Sequence, residues 1–310
     1  MRRKVILDCD PGHDDALAIL LAAHHPALEL LAITTVSGNQ SVEKTSLNAL
    51  KVCSLAHILD VPVAKGMSQP LIRSARYAAE IHGESGLDGP ALPDPLFSLA
   101  STHAVDLIID LFLHSADDIT LIATGPLTNV AAAMRKEPAI IPRIAGITLM
   151  GGAIGIGNTT PASEFNIWVD PEAAAIVFES GCPLTMIPLE VTHKALATPI
   201  VFQRLTTAHK TVTTFVYELL TFFADTYHTN FGFSAPPVHD PCAVAYLIDP
   251  TLVTTKLMHV DIETTGTWTA GRTVCDLYGQ STLPSNVNVG YTLDSGRFWD
   301  LMLDTLMTYD

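Results

Sequence analysis

Apolar, β-branched runs alternate with helix-patterned stretches through the first two thirds of this chain, and that alternation limits its possible folds most. Strands read at 4–10, 30–36, 61–66, 118–124, 146–152 and 183–189, and helices at 14–24, 42–59, 102–115, 126–136 and 171–180. Strand segments such as LLAITTV and GITLMGG offer almost no polar face, which argues a parallel sheet covered by helices on both sides. Pro126 and Pro171 stand where a first helical turn accepts proline. The last third changes character: a long helical region at 199–228, a turn-rich stretch and a short helix from His239. Strand-like KLMHVDIET (256–264), TVCDLYG and NVNVGYTL follow, then a final helix near 296–308. The predicted fold is α/β, with a single open, mostly parallel central sheet, Rossmann-like in its core. Helices flank it, and the C-terminal part adds further helices and strands. No Pro/Gly/Ser-rich linker interrupts the chain, so residues 1–310 read as one domain, and 48% hydrophobic residues suffice for its core.

In such a sheet, ligands bind beyond the carboxyl ends of the strands, and the polar residues gather there. The segment VILDCDPGHDD carries Asp8, Asp10, Asp14 and Asp15 within eight positions at the end of the first strand. Alternation turns Asp8 and Asp10 to one side and Cys9 to the other, while Asp14 and Asp15 fall in the first turn of a helix. Either of these alone reads as an N-terminal cap, but one cap does not need four carboxylates. Crowded, desolvated carboxylates repel one another unless a cation sits among them. Oxygen-only donors select Ca²⁺ or Mg²⁺ over zinc. Ser37-Gly38-Asn39, Thr124-Gly125 and MGGAIGIGN with Asn158 end other strands, and Glu164-Phe165-Asn166 follows. Asp240 opens a later helix beside His239, and His82 lies in the long turn-rich stretch 67–100. A pair of histidines next to carboxylates suits protonation of a leaving group, although each alone equally reads as a hydrogen-bonded structural residue. Loops as long as 67–100 are more often functional than accidental.

Composition narrows the classes. A net charge of −15, from 17 basic against 32 acidic residues, disfavours nucleic acid or an anionic membrane as partner. The run Ala16–Ala23 is far too short to span a bilayer. Five scattered cysteines without C-x-x-C spacing fit reduced thiols, so a cytoplasmic protein is expected. The glycines 151, 152, 155 and 157 do not form G-x-G-x-x-G, and no nucleotide cofactor is expected.

Seven segments together carry a family likeness. DCDPGHDDALAIL, SGNQ, HGESGLDGP, ATGPLTN, MGGAIGIGN, PASEFNIWVDPEAA and VHDP resemble, in order, the inosine–uridine-preferring nucleoside hydrolases, and most of all their bacterial pyrimidine-specific members. The resemblance runs over almost the whole chain. It implies Ca²⁺-dependent hydrolysis of the N-glycosidic bond of ribonucleosides, with uridine and cytidine preferred and inosine possible. It implies Ca²⁺ held by Asp10, Asp15, Asp240 and the carbonyl of Thr124. The sugar would be held by Asp14, Asn39, Asn158, Glu164, Asn166 and Asp240, with Met150 and Phe165 lining the pocket. By the same resemblance Asp10 is the general base, and His239, together with His82, serves the leaving base. Asp8 is expected to orient neighbours, and His13 receives no role. The family's usual homotetramer makes an oligomer the expectation here. Two positions depart from the pattern on the base side: Phe231 stands where pyrimidine-cleaving members place a tyrosine, and Ala79-Glu80 replaces an expected Asp-Asn. Tyr227, one helical turn before Phe231, is a candidate substitute.

Two other readings fit parts of the sequence. A haloacid-dehalogenase-type phosphatase would use Asp8 as nucleophile with Mg²⁺, but Pro11-Gly12 and the Asp14-Asp15 pair suit it poorly. A Ca²⁺-dependent ribose sensor would bind without turnover, yet the residues for base and acid, Asp10 and His239, are both present.

Overall fold

The computed structural model of this chain describes residues 2–310. Its ten strands are β1 (Arg3–Cys9), β2 (Leu28–Thr35), β3 (Val63–Lys65), β4 (Ile119–Ala123), β5 (Ile144–Met150), β6 (Leu184–Ile187), β7 (Val253–Met258), β8 (Val260–Ile262), β9 (Thr273–Cys275) and β10 (Val287–Leu293). Eight form one sheet in the order β3-β2-β1-β4-β5-β6-β10-β7. All neighbours pair in parallel except β10 with β7, so the sheet is open, mostly parallel and antiparallel only at one edge. β8 and β9 make a separate two-stranded ribbon. The predicted α/β architecture is the observed one.

Alternation along the strands splits the core into two layers. Val5, Leu7 and Cys9 of β1 pack with helices His13–His24, Thr211–Phe231, Pro241–Ile248 and Ser295–Leu306. Ile6 faces the other way, among helices Ala104–His114, Thr128–Lys136 and Pro171–Phe178. Phe112 and Phe298, one in each layer, are buried, each stabilising the fold by roughly 1.5–3 kcal/mol relative to exposure.

Three sequence expectations change in detail. The helical region 199–228 is two helices, Pro199–Ala208 and Thr211–Phe231, because His209 takes a left-handed conformation (φ 52°) between them. The strand 256–264 breaks at His259, with β7 in the main sheet and β8 in the ribbon. The helix expected from 126 starts at Thr128, two residues after Pro126. Among the described residues, no helix is long and apolar enough to cross a membrane.

The strand order reverses direction at β1 and β4, and loops leaving their carboxyl ends diverge. A crevice at that point is where an open α/β sheet binds ligands.

Candidate active site

Asp10 leaves the end of β1, and Pro11-Gly12 turns the chain into helix His13–His24. Asp15, third in that helix, caps its start: its Oδ2 accepts from Gly12 N (3.0 Å) and its Oδ1 from Asp10 N (3.3 Å) and Thr124 Oγ1 (2.9 Å). The first-turn anions also suit the positive end of the helix dipole. Asp240 begins helix Pro241–Ile248 from the far end of the sequence. Ligand oxygens of Asp14, Asp15 and Asp240 lie within 4.8 Å of one another, all buried. Burial, and then the other carboxylates, push Asp240 well above the usual carboxylate range; burial and Asp14 raise Asp15 to about 7. A bound cation would let all three ionise.

Asp10 sits beneath this triad, fully buried, and outside it. Asn39 N donates to its Oδ2 at 2.6 Å, while its Oδ1 has no partner. The carboxylate lies between two glycines. A Cβ at Gly38 would stand 2.0 Å from Oδ2, and one at Gly125 2.7 Å from Oδ1. Those contacts explain glycine at both positions better than backbone freedom does. Burial, and next Asp15, raise its pKa well above the ordinary value. The orphaned Oδ1 and the three crowded carboxylates fit a hard divalent cation, for which oxygen donors are the right chemistry. Asp8 does not reach this cluster: its Oδ1 accepts from Thr34 Oγ1 (2.6 Å) and Asn129 Nδ2 (2.7 Å).

Above the floor opens a cavity of about 490 Å³, within the usual range for small-molecule sites. Of the residues singled out in the sequence, Asp14, Asn39, His82, Thr124, Met150, Asn158, Glu164, Phe165, Asn166, His239 and Asp240 line it. Asp10 and Asp15 lie below its surface. Asn166 ties the floor together, donating from Nδ2 to the carbonyls of Thr124 (2.7 Å) and Met150 (3.1 Å). Glu164 caps the five-residue helix Phe165–Val169 through Asn166 N and also accepts from Gly152 N (2.9 Å). Burial raises its pKa to about 7 despite those bonds. Asn158 Oδ1 accepts from Phe165 N at 3.0 Å.

The opposite wall is aromatic. Helix Thr211–Phe231 presents Phe223, Tyr227 and Phe231 at four-residue spacing, with neighbouring ring centroids 4.7 and 5.3 Å apart. Both ring nitrogens of His239 are engaged, Nε2 with the Tyr227 hydroxyl (2.7 Å) and Nδ1 with Thr192 Oγ1 (2.8 Å). Burial lowers its pKa to about 3, so the ring is neutral at pH 7. His82 lies across Phe223 from Tyr227, its Nδ1 3.2 Å from His13 Nδ1, and His13 Nε2 reaches the Asp88 carbonyl at 2.9 Å. Burial also pushes His82 well below the ordinary histidine value. Arg76, Tyr77 and Ile81 from the stretch 67–100 form the mouth, with Trp168 and Asn230. The sequence reading passed over these residues. Helical spacing could have flagged Phe223, but nothing local marks Arg76 or Tyr77.

The inosine–uridine preferring nucleoside hydrolase family model matches residues 5–300. This chain belongs to that family. The chain is accordingly an enzyme, a ribonucleoside hydrolase that cleaves the N-glycosidic bond. The pyrimidine-specific ribonucleoside hydrolase RihB of Escherichia coli (strain K12) is 47% identical over 99% of this chain and 98% of its own length. A purine-preferring ribonucleoside hydrolase from Gardnerella vaginalis has a structure matching with TM-score 0.93 at 36% identity, over 99% of this chain and 98% of that one. A plant nucleoside hydrolase, PpNRh1, matches with TM-score 0.92 at 31% identity over 99% of each chain. The carboxylates and amides singled out in the sequence lie together at one switch point of the sheet.

Proposed function

We propose that this nucleoside hydrolase uses Ca²⁺ to cleave uridine and cytidine, and inosine in addition, to ribose and free base. The observation that carries the reading is the buried carboxylate triad on the pocket floor beside the unpartnered Oδ1 of Asp10. Asp10, Asp15, Asp240 and the Thr124 carbonyl would hold the ion, with Asp14 adjoining. Bound Ca²⁺ supplies a lowered pKa for water and an anchor for the ribose hydroxyls.

The protein's own groups do the rest. Asp10 takes a proton from the attacking water. Bond breaking builds positive charge on the ribosyl ring, which Asp14 and Glu164 favour from fixed, water-poor positions. Asn39, Asn158 and Asn166 orient the sugar, and Met150 and Phe165 pack against it. Attack opposite the departing base inverts the anomeric carbon. His239, neutral and bonded to Tyr227 and Thr192, orients the Tyr227 hydroxyl on the wall where the base departs, with His82 on the same wall, and these groups stabilise the leaving base until it takes up a proton. The proton that Asp10 takes from water is the one the departing base finally gains, so each group ends as it began.

Supporting the same reading at larger scale, one sheet takes strands from both ends of the sequence, as expected of a single domain over 1–310. We place the enzyme in the cytoplasm as a homotetramer acting on a small nucleoside, with neither nucleic acid nor membrane as partner. The test is ribose release from uridine, cytidine, inosine and adenosine with Ca²⁺ and after exhaustive chelation. Ca²⁺-dependent ribose from the pyrimidine nucleosides is expected. No ribose from any nucleoside with Ca²⁺ present would refute the reaction, and equal release after chelation would refute the metal.

A further inference from the structure

A second hollow of about 430 Å³ adjoins the active-site cavity and shares Asn158, Thr159, Tyr227 and Phe231 with it. Its remaining wall is Ile156, Gly157, Thr160, Pro161, His193 and Phe233. The lining is largely apolar and aromatic. Tyr227 and Phe233 meet edge to face with centroids 5.6 Å apart, and His193 packs edge-on against both Phe233 (5.3 Å) and His239 (5.7 Å). The hollow therefore meets the pocket along Tyr227 and Phe231 on its aromatic side and along Asn158 and Thr159, one ring away from His239.

Polar groups that could read the edge of a base are scarce on that wall. The Tyr227 hydroxyl already bonds His239. Phe223, Phe231 and Phe233 offer only ring faces and edges, and Asn230 Nδ2 is spent on the carbonyls of Thr226 (3.0 Å) and Glu80 (3.4 Å). A pocket of that kind selects by shape and apolar area, and such selection is shallow, about 10- to 200-fold per methylene-sized difference. It also tolerates extension wherever empty apolar space continues.

We infer that the hollow bounded by Ile156, Pro161, His193 and Phe233 is an annex of the base site that takes an apolar substituent carried by the leaving base. The substrate class then includes ribosides of substituted bases with an alkyl or aromatic arm. Continuity with the catalytic pocket along Tyr227 and Phe231 commits the annex to this occupant, since those rings form the wall where the base departs in the proposed reaction. The inference rests on the nucleoside hydrolase reading of the main site.

The test compares kcat/KM for 5-benzyluridine with uridine and for N6-benzyladenosine with adenosine, in the wild type and in Ile156→Trp. Ile156 is 74% exposed and lines the annex but not the main cavity, so the variant leaves the fold and the parent substrates undisturbed. For at least one pair, the benzyl riboside is expected to match or exceed its parent in the wild type. Ile156→Trp is then expected to lower that benzyl substrate at least tenfold while moving its parent less than twofold. A smaller selective loss, or benzyl ribosides poorer than both parents, overturns the annex. Failure of the nucleoside hydrolase reading looks different, because neither parent would then release ribose. In that event calorimetry with free 5-benzyluracil against uracil still decides the annex. Tighter binding of the benzyl base, lost in Ile156→Trp, supports it; equal binding overturns it.

Discussion

Removing the bound cation should make the stability of this hydrolase fall as pH rises. The buried carboxylates of the floor are the cause. Burial, and next the charge of Asp14, raise Asp15 to about 7, and burial raises Glu164 to about 7. A group whose folded pKa lies above its unfolded value holds a proton in the native state that the unfolded chain has already released. Its contribution is fully present below the unfolded pKa, near 4, and is lost as pH climbs through 7. For Asp15 the distance from the ordinary ~3.9 to about 7 corresponds to ~4 kcal/mol. Glu164 adds ~3–4 kcal/mol on the same scale, although neighbouring groups do not sum fully. In the metal-loaded protein Asp15 would be ionised against the cation, whereas Glu164 lies outside the ligand set and shifts both samples alike; saturation at a hundred times Kd adds ~2.7 kcal/mol to the native state. The assay is thermal unfolding of chelated and Ca²⁺-loaded samples from pH 5 to 8. Between pH 5 and the folded pKa of Asp15 lie ~2 pH units, worth ~3 kcal/mol, and large domains shift about 2 °C per kcal/mol, so the gap between the two curves should widen by ~5 °C across that range. A chelated protein whose Tm holds level or rises in parallel with the loaded one would refute the argument.

Three substitutions probe other parts of the site. Gly38→Ala places a methyl 2.0 Å from Asp10 Oδ2 and 2.8 Å from Pro126 Cδ. It should cost about 10² or more in kcat with circular dichroism unchanged; wild-type turnover would detach Asp10 from the chemistry. Tyr227→Phe removes the hydroxyl on His239 Nε2, and His239→Ala removes the ring. Both should lower kcat on ordinary nucleosides by about 10²–10⁴ while KM stays within a few-fold, and unchanged turnover in His239→Ala would exclude His239 from stabilising the leaving base. Asn129→Ala strips partners from Asp8 Oδ1 (2.7 Å), the Thr35 carbonyl (3.0 Å) and Met67 N (2.8 Å). Denaturant unfolding should show a loss of ~2–3 kcal/mol.

Much of this molecule was legible in its sequence because parallel strands buried on both faces announce themselves. Every main-sheet strand before residue 190 lies within or next to a segment read as apolar and β-branched. The carboxylate cluster was legible for a related reason: four aspartates behind such a strand have no cheap structural purpose. What stayed hidden depends on contacts between distant residues. The break at His259 separates two strands that periodicity joins, and only their partners, β10 and β9, distinguish them. The 2.7 Å contact from Tyr227 to His239 needs a helix and a loop start to meet. The pocket mouth depends on how the stretch 67–100 is pinned. Leu71 N bonds Asp170 Oδ2 at 2.8 Å, and the Arg73 guanidinium grips Glu172 and the Thr264 carbonyl. No local pattern around Arg76 records those anchors.

The place of β10 in the sheet sets a timetable. β6 ends at Ile187, and the strand that covers its free edge begins at Val287. At about 5–20 residues per second, a ribosome takes roughly 5–20 s to make the chain between them. Throughout that interval the nascent sheet ends in a bare parallel edge whose apolar faces lack helix Ser295–Leu306. Closing it falls to a segment synthesised about a hundred residues after β6, so a chain truncated before Val287 would keep the acidic floor's sequence yet present an open strand to its neighbours.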